Sequence, residues 1–248
     1  MTTSASPVGQ TPAPLNLASR FIGIIFSPRP TYESVAAAPK WVGMLVVTTL
    51  IAAIFNVLPL TTEDGRQAAV EKQIGATKSV LQAFGRTMTP EVEAQIEASV
   101  ARLPYRTGIS IIVFSPIVTA VIAGICFVIF KVALGGESRF KQVFAVVVHA
   151  GVISALSALF SGIVNYFRGG IGGVTNLSAL LPMVSEQSFI GNLLGTIDIF
   201  LIWWIIALAV GLAVLYRRRT QPIALSFFGL YALIAIVIAV VKSSMGGA

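Results

Sequence analysis

Residues 191–219 read GNLLGTIDIFLIWWIIALAVGLAVLYRRR. A long apolar run carries one acid, Asp198, followed by Phe200, Trp203 and Trp204, and it ends on Arg217, Arg218 and Arg219. Such a run suits a hydrocarbon core about 30 Å thick, where an α-helix satisfies its own backbone hydrogen bonds without water. The terminal arginines mark the end that faces the cytoplasm. Comparable runs recur at 41–60, 109–134, 143–164 and 223–241; with 189–216 they predict five spans. Only 11% of the 248 residues are charged, against about 25% for a soluble domain of this size. The expected class is therefore an all-α integral membrane bundle of five transmembrane helices, 41–248, preceded by an interfacial helix and carrying an extramembrane helical hairpin after the first span.

The segments outside these runs differ in character. Residues 1–14, MTTSASPVGQTPAP, have neither the basic nor the apolar part of a cleavable signal peptide and read as a disordered tail. In 15–40, Leu17, Phe21, Ile24 and Ile25 fall at helical spacing with Ser19 and Arg20 off that face. This predicts a short amphipathic helix, lying in the membrane interface or packed on the bundle, since amphipathicity alone does not separate the two. Ser27-Pro28-Arg29-Pro30 breaks it, and a second short helix, 31–38, ends at Pro39.

The insertion 61–106 is polar. It holds a stripe of Val70, Ile74, Leu81 and Phe84, then a helix start at Thr89-Pro90-Glu91, then Val92, Ile96, Val100 and Leu103 at spacings of four and three. Two amphipathic helices in a hairpin are expected. Within the spans, Pro116 predicts a kink. Ala150, Ser154, Ala158 and Gly162 form a small-residue stripe, and Gly191 with Gly195 repeats the device. The glycines at 169–173 are not a phosphate loop, because no strand precedes them and no Lys-Ser or Lys-Thr follows.

Charge placement sets the expected orientation. Nine of the 17 Lys and Arg residues, but only Glu33 and Glu137 of the ten acids, fall on the side of the N-terminus if five spans are threaded in order. Arg139, Lys141, Arg217, Arg218 and Arg219 form the basic surface of that side. The positive-inside rule then places the N-terminus in the cytoplasm and the C-terminus outside. A net charge of +7 distributed this way reflects topology and contact with anionic lipid heads, not nucleic-acid binding.

With this plan in hand, the chain resembles the Yip family (the Ypt/Rab-interacting protein domain) in its bacterial form. The resemblance lies in Phe26-Ser27-Pro28 and Pro30-Thr31-Tyr32-Glu33 ahead of the first span. It continues with Gly135-Gly136 followed by Phe140-Lys141-Gln142, and with Asp198-Ile199-Phe200, Trp203, Ala207, Gly211 and the basic turn. It runs from Leu15 to the C-terminus, apart from the insertion. One departure is Gly151-Val152-Ile153, where similar proteins often carry a proline. The resemblance implies a five-span membrane fold in a bacterial inner membrane. Its eukaryotic members are linked to Rab-type GTPases and vesicle traffic, and for prokaryotic members it implies no particular reaction.

Chemistry-bearing residues are few. An acid within an apolar run is by default a functional candidate, so Asp198 is one, with Ser154, Ser157 or Asn192 as expected partners if it only ties helices together. His149 is the second; Phe200 and Trp203 accompany Asp198. Counting along the spans places His149 about 12 Å and Asp198 about 27 Å from the cytoplasmic end, so direct contact is not expected. With one histidine and one cysteine, Cys126, in different spans, hydrolytic triads and the usual zinc sites are excluded, and no cofactor is expected. Three functions fit: a non-enzymatic membrane adaptor or organiser that binds a membrane or cytoplasmic protein or a second copy, a small transporter using Asp198, and a lipid-handling or membrane-shaping protein.

Overall fold

The computed structural model describes residues 15–133, 135–181, 183–184 and 188–246; the tail 1–14 lies outside them. The described chain is all-helical. Its elements are α1 (Leu17–Phe26), α2 (Pro28–Ala37), α3 (Val42–Val57), α4 (Glu63–Ala83), α5 (Pro90–Ala98), α6 (Leu103–Val128), α7 (Phe140–Arg168), α8 (Leu177–Leu180), α9 (Phe189–Thr196), α10 (Ile199–Leu215) and α11 (Thr220–Gly246). A 3₁₀ turn extends α3 to Thr61, and a π turn extends α6 to Ala133. Among the described residues, four helical stretches are long and apolar enough to cross a membrane: Val42–Thr61, Pro90–Lys131, Phe140–Arg168 and Thr220–Ser243. The fifth expected span is not one helix. Residues 189–216 divide into α9 and a 17-residue α10, shorter than the other four stretches.

The central column is α7. More than half of its apolar window, 56%, is buried inside the protein, against 11% for the α6 stretch and 17% for α11. Those two outer helices instead expose Ile112, Phe114, Val121, Leu230 and Leu233. Rows of exposed apolar residues of this kind suit contact with lipid tails. Packing on α7 relies on small residues. Gly162 sits directly under α3, where a Cβ would overlap the carbonyl of Phe55. Of the expected small-residue stripe, Ala150 and Gly162 are buried, Ala158 is half-buried, and Ser154 faces outward. The helix α6 continues through Pro116.

The segment before the first span packs on the bundle. Helix α1 contacts α7, and α2 contacts α10 and α7. Ile24, Tyr32 and Val35 are fully buried there, and burial pushes the Tyr32 phenol pKa upward. Arg20, expected off the packed face, is 2% exposed. Its guanidinium donates to the carbonyls of Leu15 (3.1 Å) and Ala38 (3.0 Å), and reaches Ser34 Oγ at 3.5 Å. The reason is geometric: the Ala38 carbonyl at the end of α2 accepts from the Lys40 N–H at 2.8 Å and has a second lone pair free, and the five-donor fork of Arg20 crosses from α1 to fill it. Asn16 caps α1 by accepting from the Ser19 N–H at 2.8 Å. Ser27 separates the helices, with Pro28 in the first turn of α2.

Candidate functional site

Asp198 does not lie within a helix. Its φ of −110° and ψ of 132° are extended, and its carboxylate caps α10 by accepting from the N–H groups of Phe200 (2.8 Å) and Leu201 (3.0 Å). An aspartate competes for the backbone in this way more effectively than it continues a helix, which explains the break in the apolar run. The second carboxylate oxygen accepts from the Thr175 hydroxyl. These donors, rather than Ser154, Ser157 or Asn192, are its partners. The broken backbone is also used. Leu177 N–H donates to Ile197 O (2.9 Å) and Ile199 N–H to Thr175 O (3.2 Å), forming an isolated antiparallel bridge between Asn176 and Asp198. From α11, the Tyr231 hydroxyl donates to Thr196 O at 2.5 Å and accepts weakly from the Asp198 N–H at 3.4 Å. One acid thus ties the loop after α7, the start of α10 and the middle of α11.

Above this knot lies a cavity of about 450 Å³ lined by Asp198, Thr175, Asn165, Ser157, Ser161 and Lys72, among others. Asn165 is 7% exposed; its amide donates to Gly172 O (3.1 Å) while its Oδ1 has no partner among the described residues. The cavity is a polar recess at the end of the bundle away from α1 and α2.

The remaining candidates separate into two places. His149 is fully buried in α7, with Nδ1 2.7 Å from Ala145 O. A carbonyl only accepts, so Nδ1 carries the proton and Nε2 presents a lone pair with no partner among the described residues. His149 and Asp198 share no hydrogen bond. Phe200 stacks on Trp203 with centroids 6.2 Å apart and meets Phe160 at 6.0 Å, both rings packing against the core. Among the described residues no three His, Cys, Asp or Glu side chains converge as a metal site would require.

The basic residues, by contrast, are brought together. Tyr216 at the end of α10 stacks on Phe130 at 4.7 Å, and Gly136 packs against the Tyr216 ring so closely that a Cβ would overlap it. This seats the turn holding Arg139 and Lys141 beside the turn holding Arg217, Arg218 and Arg219, all five exposed. Sequence reasoning missed Thr175, Tyr231 and Arg20. The available signals were a tyrosine in mid-span and a lone base in an apolar helix.

The cap role gives a prediction. Asparagine caps helices about as well as aspartate, so Asp198→Asn is expected to leave the thermal unfolding midpoint in detergent nearly unchanged. Asp198→Ala removes both the cap and the Thr175 bond and is expected to cost about 1–2 kcal/mol. Equal losses for the two variants would show that the charge, not the cap, matters.

The Yip1 domain profile matches residues 22–241 of the chain. The chain is also similar to a protein of Bacillus subtilis (strain 168) named Membrane protein YknW, at 25% identity over 190 residues, which cover 77% of this chain and 75% of that one. No solved structure matches.

Proposed function

The chain belongs to the Yip1 domain family, and from that premise we propose that it is a non-enzymatic, five-span membrane adaptor whose α1–α2 face binds another protein. The observation that carries this reading is the hairpin itself. Arg20 and the buried Ile24, Tyr32 and Val35 hold α1 and α2 rigidly on the bundle, while Ile22 (56% exposed) and Phe26 (79% exposed) point away from it. A fixed platform that presents an aromatic side chain is what a docking surface needs. As the fifth span, α10 is about 25 Å long by its helical rise, at the short end of what crosses a bilayer. Together with α9 it reaches the full thickness. By the positive-inside rule the basic turns support an orientation with the α1–α2 face in the cytoplasm and the C-terminus outside, and with α4 and α5 as an outer helical hairpin. The similarity to a Bacillus membrane protein supports a bacterial inner membrane.

The test is a crosslinked pull-down of the full chain from native membranes in mild detergent, comparing wild type, Phe26→Asp and Asp198→Asn. A stoichiometric partner should be retained by wild type and Asp198→Asn and lost by Phe26→Asp. A partner indifferent to Phe26→Asp, or none beyond the chain itself, would remove the basis for this reading. Impermeant labelling of a cysteine placed at Ser243, in the Cys126→Ala background, checks the orientation; labelling only from the cytoplasmic side would reverse it. A second reading, transport, is favoured by one observation, the polar recess that reaches Asp198. It requires an ion or solute flux in liposomes that Asp198→Asn abolishes.

A further inference from the structure

The face that carries α1 and α2 holds a second polar recess. It lies between the turn after α6 and the turn after α10, has a volume of about 420 Å³, and is lined by Gly136, Glu137, Ser138, Tyr216, Arg217 and Arg218, among others. That volume falls in the range of about 300–1,000 Å³ typical of small-molecule sites. We propose that this recess binds the phosphate group of an anionic phospholipid head. The inference is independent of the partner-binding reading and needs only that α6, α7 and α10 cross the bilayer, which sets their ends at headgroup depth.

Four observations carry it. First, the recess contains hydroxyls lacking partners. Ser138 is 9% exposed, and its Oγ and the Tyr216 hydroxyl are both buried. They face one another, yet neither makes a hydrogen bond of good geometry among the described residues. Buried hydroxyls are almost always satisfied, by protein, water or ligand. Second, each of these hydroxyls carries an O–H that can donate to a phosphate oxygen. Third, the charge has the right sign. Arg217 and Arg218 line the recess against a single acid, Glu137, and the exposed Arg139, Lys141 and Arg219 flank it.

Fourth, the backbone holds Arg217 where glycine is the usual choice. Its φ is +53°, the only positive φ outside glycine among the described residues. The helix ends in the motif that ordinarily puts glycine there, with Arg218 N–H donating to Ala213 O at 2.9 Å and Arg217 N–H to Val214 O at 3.3 Å. An arginine kept in the left-handed region at the rim of a recess points to a use for its side chain. Arginine is also the residue best shaped for phosphate oxygens, offering two parallel N–H donors.

The strained position supplies a variant that does not threaten folding. Arg217→Gly removes the charge and relaxes the turn, so its unfolding midpoint without added lipid should be no lower than wild type. The experiment is native mass spectrometry of the full chain in detergent, titrated with phosphatidylglycerol, with phosphatidylcholine of the same acyl chains, or with inorganic phosphate. Wild type is expected to retain phosphatidylglycerol over phosphatidylcholine. Arg217→Gly and Ser138→Ala should each weaken that retention by about tenfold, the loss of one hydrogen bond to a charged group. Arg106→Gln, an exposed charge change at the opposite face, should leave it within about twofold. Inorganic phosphate held with the same dependence on Arg217 and Ser138, without preference between the lipids, would overturn the lipid source and assign the recess to soluble phosphate. Retention that falls equally with Arg106→Gln, or is indifferent to Arg217→Gly and Ser138→Ala, would overturn the site.

Discussion

Replacing Arg20 by alanine is expected to detach the α1–α2 hairpin from the bundle. Arg20 is 2% exposed and joins Leu15 O, Ala38 O and Ser34 across 18 residues of chain. Its removal takes the donor from the Leu15 carbonyl and one of two donors from the Ala38 carbonyl, and it empties the space of its aliphatic stem. A buried polar group left unsatisfied costs about 1–3 kcal/mol, so a loss of that order is expected, concentrated locally. The readout is limited proteolysis in detergent micelles, with cleavage near Ser27 appearing in Arg20→Ala while the transmembrane core stays intact. Arg20→Lys keeps one charged donor but not the fork, and should fall between the two. Unchanged protease resistance in Arg20→Ala would mean that the apolar contacts of Ile24, Tyr32 and Val35 suffice.

The second large effect is expected at Gly162. A Cβ there would overlap the Phe55 carbonyl, and neither partner is free to move, because one is helix backbone in α3 and the other is the central helix α7. Gly162→Ala therefore forces the two helices apart and should cost about 2–3 kcal/mol, with Gly162→Val costing more. Gly229→Ala, where nothing lies within 4 Å, is the matched control. Losing glycine from a helix interior there should be neutral or stabilising by up to about 1 kcal/mol. Thermal unfolding of the three variants in the same detergent distinguishes a packing effect from a helix-propensity effect. Equal midpoints for Gly162→Ala and Gly229→Ala would refute the close α3–α7 contact.

The two candidate sites were legible to different degrees. The basic residues Arg139, Lys141 and Arg217–Arg219 stood out in the sequence because hydrocarbon excludes charge, so bases beside an apolar run collect at its ends. That their two turns would share one recess was not legible. It depends on Tyr216 stacking on Phe130 and on Gly136 leaving room for the ring, contacts between residues 80 or more positions apart. Asp198 was conspicuous for the opposite reason, an acid where acids are costly, but its role was open. Hydropathy reads 189–216 as continuous, whereas the carboxylate bonds to its own following N–H groups and stops the helix. Thr175 and Tyr231 reach it from a loop and from another helix, and nothing local marks either as a partner.

By itself, the sequence determined the class, the positions of most helices and the gathering of bases at the ends of the apolar runs. These follow from the cost of exposing backbone polar groups and charges to hydrocarbon, a one-dimensional constraint that composition along the chain expresses directly. Tertiary structure alone decided the direction of Arg20, the choice of α7 as the central column, and the use of Asp198 as a helix cap. Each of those depends on which surface a side chain meets after the helices pack. Hydrophobicity is non-directional and specifies that helices associate, while the close approach of Gly162 to Phe55 and the reach of Arg20 to Ala38 specify how.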